Sequence, residues 1–352
     1  MVSVRPDLTF LSGYHSPQVD VPVRLNTNES PFQPPAGFVE ELSGCLSDLA
    51  WNRYPDRSAM ALRTALAERH GVAPSQIFVA NGSNEVLQTL SLTFAGPGRA
   101  VACFEPGYQM HGQIARVTGA SVVSLDRETD FSLDADAVAR FLGAHRPSVV
   151  FLSSPNNPTG LSEPSSMVDV VLDSCDALLV VDEAYAEFGR WTAIDRIQDG
   201  VPLVVSRTFS KTWSMAAARL GYLVGPTEVV DSLWNTVLPY HVSAFTQKAG
   251  LLALNFVEEM NDRVEMITAE RSRLQSGLSE LNIAFVPSDA NFVLFSAENK
   301  AATELWTGLV ARGVLVRDCS GWPRLNSWLR VTVGTPAEND AFLRALKEVI
   351  HG

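Results

Sequence analysis

Leu203-Val204-Val205-Ser206-Arg207-Thr208-Phe209-Ser210-Lys211 opens as a short apolar, β-branched run and closes as a hydroxyl-rich turn ending in a lysine. Such a run reads as a buried strand. Met215-Ala216-Ala217-Ala218-Arg219-Leu220-Gly221-Tyr222 follows. A lysine in an apolar neighbourhood is costly unless it is exposed, paired or chemically used. Alone, Lys211 reads as a solvated side chain after a strand. Its neighbours reverse that reading. Thr208 and Ser210 alternate, so both hydroxyls face one side, and Arg219 lies eight residues after Lys211. Two hydroxyls and a guanidinium hold a phosphate, beside an amine able to form an imine.

Outward from this stretch, apolar strands alternate with helical patterns. Strands are expected at 77–80, 100–104, 121–125, 148–152 and 177–181, with helices at 37–50 and 59–70, from about 85, and at 107–118, 134–144 and 163–174. Ser58 is the expected cap of the 59–70 helix, which ends at Gly71. This order predicts an α/β fold with a mostly parallel central sheet and helices on both faces. Residues 1–35 lack a sustained period and read as an arm holding Tyr14 and the polar cluster Asn26-Thr27-Asn28-Glu29-Ser30. A helical stretch from about 227 to 280, broken near Pro239, leads to strands at 292–295 and 328–333 and helices at 300–312 and 336–350. The expected division is an arm (1–35), a large ligand-binding domain (36–250) and a smaller C-terminal α/β domain (251–352), with part of the N-terminal region packed on the last.

The chain has 352 residues, 46% apolar and 19% charged, enough to bury a sizeable core. Its net charge of −12 argues against nucleic acid or an anionic membrane as partner. An anionic ligand must then be held by a few placed cations. The four cysteines are scattered and form no metal-binding spacing, and no metal is expected. No signal-peptide core and no apolar run long enough to span a bilayer appear, so a cytoplasmic setting is expected.

In open parallel sheets ligands bind at the carboxyl ends of strands. Asn81-Gly82-Ser83-Asn84 is a turn opening a helix, suited to a phosphate or to plain capping. Tyr108 is placed to stack on a flat ring, or fills the core. Ser154-Pro155-Asn156-Asn157-Pro158-Thr159-Gly160 is a tight loop presenting Asn157. Asp182 needs a cationic or N–H partner, and either a protonated heterocycle nitrogen or its own helix terminus supplies one. Together these strand ends describe one ligand. Its phosphate meets Ser83, Asn84, Thr208, Ser210 and Arg219; its ring meets Tyr108; its ring nitrogen meets Asp182. A ring oxygen falls to Asn157 and Tyr185, and an aldehyde to Lys211. Pyridoxal 5′-phosphate satisfies that list. Neither a glycine-rich dinucleotide fingerprint nor a Walker-type loop is present.

These residues resemble fold-type I pyridoxal-phosphate enzymes, and among them the histidinol-phosphate aminotransferase family. The resemblance spans nearly the whole chain. It includes Leu25-Asn26-Thr27-Asn28-Glu29-Ser30-Pro31, Arg53-Tyr54-Pro55-Asp56, Val181-Asp182-Glu183-Ala184-Tyr185, Asn291-Phe292-Val293 and Leu329-Arg330-Val331-Thr332-Val333-Gly334-Thr335. It implies transamination between an amino donor, histidinol phosphate, and the 2-oxo acid acceptor 2-oxoglutarate. It further implies a homodimer with shared active sites, in which Tyr54 reaches the neighbour's cofactor phosphate. Lys211, Asp182 and Tyr108 would be catalytic. Tyr14, Asn28, Arg317 and Arg330 would receive the substrate, Arg330 as the arginine for an amino acid carboxylate and Arg317 as a second cation. Ala217-Ala218 replaces the family's usual Gly-Leu, Asn84 stands where relatives carry Asp or Gly, and Gly321-Trp322-Pro323 looks inserted. The alternatives are an aromatic amino acid (phenylalanine/tyrosine) aminotransferase and, third, a phospho-amino acid decarboxylase. A cofactor-sensing transcription regulator would need a helix-turn-helix domain, for which no room is expected.

Overall fold

Seven strands that lie next to one another in space bring the polar residues at their ends to one edge. The computed structural model describes residues 2–9, 13, 17–298 and 300–352. Its elements begin with β1 (Val23–Leu25), α1 (Ala36–Cys45), α2 (Met60–His70), β2 (Ile77–Ala80), α3 (Ser83–Phe94) and β3 (Ala100–Glu105). They continue with α4 (Gln109–Val117), β4 (Ser121–Asp126), α5 (Ala135–His145), β5 (Val149–Ser153), α6 (Met167–Ser174), β6 (Leu178–Asp182), β7 (Leu203–Thr208) and β8 (Gly221–Val224). The remainder is α7 (Thr227–Thr236), α8 (Ala244–Ala253), α9 (Val257–Glu280), β9 (Ala284–Phe285), β10 (Phe292–Ser296), α10 (Ala302–Ala311), β11 (Val314–Asp318), β12 (Leu329–Thr332) and α11 (Pro336–His351).

The larger sheet has the order β2-β8-β7-β6-β5-β3-β4, with β8 antiparallel to both neighbours and the other pairs parallel. Alternation along each strand splits its side chains between two cores. Val150 and Leu152 of β5 join one cluster with Leu179 and Val205, while Val149 and Phe151 join another with Val180 and Val204. Both faces are covered, which is why these strands read as continuous apolar runs rather than alternating ones. The second sheet, β1-β11-β12-β10-β9, has its own core around Phe292, Phe295, Leu305 and Phe342. The arm contributes β1 to it, parallel to β11.

Three details depart from the sequence reading. The 227–280 stretch has a second break, at 254–256, and gives three helices. Ser58 does not cap α2. Asp56 does, its Oδ2 accepting from the Met60 N–H at 2.7 Å and its Oδ1 from the Ser58 N–H at 2.9 Å, while Ala59 takes a left-handed conformation with φ 46°. The 37–50 helix ends at Cys45.

Register also sorts the adjacent carboxylates Asp182 and Glu183. Asp182 pairs with Ser206 at the end of β6 and turns to the ligand edge, while Glu183 packs against Arg207. Glu183 is 1% exposed and accepts from Arg207 Nη2 at 2.7 Å, Arg207 Nε at 3.0 Å, Thr192 Oγ1 at 2.7 Å and the Ala193 N–H at 2.6 Å. Breaking a buried pair strands the remaining charge at a cost of about 3–5 kcal/mol. Glu187 still accepts from Arg207 Nη1 at 3.2 Å, so the low end applies. Glu183→Ala is expected to lower unfolding stability by about 3 kcal/mol in a denaturant titration. A loss below about 1 kcal/mol would mean that water rescues Arg207.

Candidate active site

A cavity of about 220 Å³ lies where these strand ends meet. Thr27, Asn28, Ser83, Asn84, Tyr108, Asn157, Asp182, Tyr185, Thr208, Ser210, Lys211, Arg219 and Arg330 all line it. They come from the arm, from five strand ends of the larger sheet, and from β12 of the smaller sheet.

At the phosphate end, backbone approaches backbone. Ala80 of β2 and Thr208 of β7 are both opposite Gly221 of β8. A Cβ on Gly221 would sit 2.3 Å from the Ser83 nitrogen, so no larger residue fits without moving that turn. Gly82, at φ +80°, leaves the space that Arg219 fills; a Cβ there would lie 2.5 Å from Arg219 Nη2. Helix α3 begins at Ser83 with no side-chain cap. The Glu85 N–H is taken by the Gly82 carbonyl, while the N–H groups of Ser83 and Asn84, which intrahelical bonds cannot use, face the start of the helix where an anion binds. Thr208 Oγ1 donates to Ser210 Oγ at 3.0 Å and Arg219 Nη1 donates to the same oxygen at 3.4 Å. Arg219 is held in a left-handed conformation with φ 51°.

At the ring end, Asp182 is 4% exposed. Its Oδ2 lies 2.9 Å from His111 Nε2 and its Oδ1 accepts from the Ala184 N–H at 3.2 Å. A local N–H thus fixes one oxygen and His111 steadies the other, with the carboxylate still on the cavity wall. His111 lies in α4, stacked 4.5 Å from Phe151. No spacing in the sequence pointed to it. Tyr108 donates to Asn84 Oδ1 at 3.1 Å and meets the His111 ring edge-on. Tyr185 Oη accepts from Asn28 Nδ2 at 2.9 Å. Asn28 is buried with φ 54° and its N–H donates to Thr332 Oγ1, which ties the arm to β12.

Lys211 Nζ donates to the Thr27 carbonyl at 3.1 Å and lies 5.8 Å from the Tyr185 ring centre. Burial, and then the charges of Arg330 and Arg219, push its pKa from the ordinary 10.5 down to about 8, against an upward pull from Glu29. Arg330, 4% exposed, donates to Asn157 Oδ1 at 2.5 Å and to the Asn26 carbonyl at 3.1 Å. Its guanidinium also lies 5.1 Å over the Phe292 ring.

Two sequence candidates stand apart from the cavity wall, and a third is not among the described residues. Arg317 is on the buried strand β11, directly opposite Arg330, and Trp322 rather than Arg317 lines the cavity. Tyr54 is 80% exposed and stacks on Tyr240 at 4.6 Å, away from this chain's own cavity. Tyr14 lies outside the described residues.

The donor set fits pyridoxal phosphate. It offers a cradle that two glycines keep open, an uncapped helix start with Arg219 for a phosphate, a buried carboxylate for a cationic ring nitrogen, and an amine with a lowered pKa. Lys211 and Asp182 lie on the same cavity, as one flat ligand requires.

A family model described as aminotransferase class I and II matches residues 21–346. The chain is 44% identical to the histidinol-phosphate aminotransferase of Frankia casuarinae over 99% of this chain and 90% of that one. It is 45% identical to the enzyme of the same name from Streptomyces avermitilis, over 98% and 96%. Its fold is similar to the crystal structure of histidinol-phosphate aminotransferase from Sinorhizobium meliloti in complex with pyridoxal-5′-phosphate, with a TM-score of 0.90 at 24% identity, covering 99% of this chain and 97% of that one.

Proposed function

The chain belongs to the histidinol-phosphate aminotransferase family of class I and II aminotransferases, and from that premise we propose that it moves an amino group from histidinol phosphate to 2-oxoglutarate. It is a pyridoxal-phosphate-dependent aminotransferase of α/β, fold-type I architecture. The observation that carries the reading is the single cavity in which an amine with a lowered pKa, a histidine-braced carboxylate, an anion cradle and a second, separate cation converge.

When bound, the cofactor supplies an electron-withdrawing ring that stabilises negative charge on the substrate carbon. The chain's own residues do the rest. Ser83, Asn84, Thr208, Ser210 and Arg219 hold the phosphate. Asp182, steadied by His111, keeps a proton on the ring nitrogen, and Tyr108 covers the ring. Asn157 and Tyr185 orient the ring oxygen. Lys211 Nζ would be the covalent anchor and, once freed, the base that takes the proton from the donor carbon and the acid that delivers it to the cofactor's carbon. Arg330, held flat by Asn157 and Asn26, presents its fork to the donor's anionic group, with Arg317 as the second cation and Asn28 fixing the arm beside them.

The same reading makes the enzyme a cytoplasmic homodimer, with 1–35 as an arm, 36–250 as the cofactor-binding domain and 251–352 as the smaller domain. Exposed Tyr54 stacks on Tyr240, and their respective sequence neighbours Trp51 and Leu238 are both more than 70% exposed. An apolar face of that kind suits a second copy, through which Tyr54 of the partner subunit reaches the phosphate. Among the described residues no helix is long and apolar enough to cross a membrane.

The test is a half-reaction screen. The yellow loaded protein is mixed with histidinol phosphate, phenylalanine, tyrosine or glutamate, and the loss of colour is timed. Histidinol phosphate is expected to react at least about tenfold more efficiently than phenylalanine, the gain from one charge-assisted contact. A faster response to phenylalanine would reassign the donor, and elution as a monomer from a sizing column would remove Tyr54 from the site.

A further inference from the structure

Arg317 and Arg330 are directly opposed on the antiparallel strands β11 and β12. Directly opposed residues leave a sheet on the same face, where like charges repel. Both arginines are buried, at 6% and 4% exposure. One side chain touches both of them. The centre of the Trp322 ring is 5.5 Å from the Arg317 guanidinium carbon and 5.9 Å from that of Arg330. Trp322 comes from the loop joining β11 to β12, where its N–H donates to the Cys319 carbonyl at 2.9 Å and its carbonyl accepts from the Leu325 N–H at 3.2 Å. Its ring packs on the cluster of Phe131, Val286, Leu294 and Leu325, and it also lines the cavity. An indole fixed from behind therefore presents its electron-rich surface to two cations at once.

We propose that Trp322 is a specificity-determining residue: it holds the guanidinium groups of Arg317 and Arg330 side by side, so that the site selects donors bearing a dianionic phosphate monoester over donors bearing a single carboxylate. The inference rests on the aminotransferase reading above. One forked arginine suffices for a carboxylate. A second cation, kept beside the first against their mutual repulsion, adds attraction that only a dianion uses in full. Cation–π contacts strengthen when water is excluded, as at these two buried arginines. The plainer role for Trp322 is packing of its loop, and packing would serve every donor equally.

The experiment compares wild type, Trp322→Leu, which keeps apolar bulk without a π face, and Trp322→Phe, which keeps a π face. The readout is the ratio of kcat/KM for histidinol phosphate to that for phenylalanine. Trp322→Leu is expected to lower the ratio by about tenfold or more, and Trp322→Phe by no more than about threefold, the spread of cation–π strengths between desolvated and exposed sites. Calorimetry supplies a readout independent of turnover. Histidinol phosphate and histidinol are titrated into the loaded Lys211→Ala protein with and without Trp322→Leu, and the advantage conferred by the phosphate is expected to shrink by a similar factor. Parallel weakening of both donors in Trp322→Leu, or a phenylalanine variant as poor as the leucine one, overturns the proposal. Should the leucine variant not fold, as judged by its melting curve, Trp322→Met takes its place under the same criteria. A wild type that shows no preference for the phosphate donor would refute the donor assignment itself, which is a separate result from a change in the variants.

Discussion

Lys211→Ala is expected to stop transamination, with kcat falling by on the order of 10⁴-fold or more while the fold is retained. General acid–base transfer by a positioned side chain contributes about 10²–10⁴-fold, and in the proposed reading this lysine also carries the covalent step, so the two losses would combine. The structure adds a reason why lysine works here near neutrality. A lysine with a pKa of about 8 is neutral in about a tenth of molecules at pH 7, some 300-fold more than one at the ordinary 10.5. Only the neutral amine attacks a carbonyl. Because the shift is downward, the reactive fraction rises with pH and levels off above about 8. The rate at which cofactor-free protein turns yellow on addition of pyridoxal phosphate should follow that curve. Arg330→Gln removes a neighbouring positive charge named among the causes of the shift, so it should move the midpoint upward. A Lys211→Ala protein that turns over at the wild-type rate would end the assignment. A capture rate that still climbs steeply to pH 10 would show that the amine is not depressed.

How far the site is legible in the sequence depends on where each residue sits relative to a strand. Asn157, Asp182, Tyr185 and Lys211 all lie within four residues of the end of an apolar strand, and an open parallel sheet directs such positions to one edge. Physics and pattern agree there. His111 gives no such signal. It lies inside α4, and only the packing of that helix over β5 brings it within 2.9 Å of Asp182. Thr27 contributes a carbonyl, which any residue carries. Arg317 shows the limit in another form. Val314-Leu315-Val316 is apolar enough for a strand, yet recognising that Arg317 stands across from Arg330 requires the β11–β12 register, which is set by a loop of ten residues. The same holds for β1, whose three residues become a strand only because β11 offers an edge to pair with. Cap chemistry is a subtler case. A serine just before a helix is a reasonable cap, but Asp56 reaches both Ser58 and Met60, and a carboxylate is the stronger acceptor.

Asp182→Ala should lower kcat by about 10²–10³-fold even at saturating cofactor, the effect typical of deleting one preorganised charge from a water-excluded site. The argument turns on charge rather than shape. A carboxylate has about four acceptor sites, and the Ala184 N–H and His111 engage one on each oxygen. Capacity therefore remains for a third donor from the cavity, which a protonated ring nitrogen supplies. Asp182→Asn preserves the volume and one acceptor oxygen but loses the charge, and with it the preference for a protonated partner. If the charge is what matters, the asparagine variant should be almost as slow as the alanine one, while Asp182→Glu should recover part of the rate. His111→Ala should cost less than either, about tenfold, because it removes a hydrogen bond that orients the carboxylate and leaves the charge in place. An asparagine variant close to wild type would mean that Asp182 serves only to shape the end of β6.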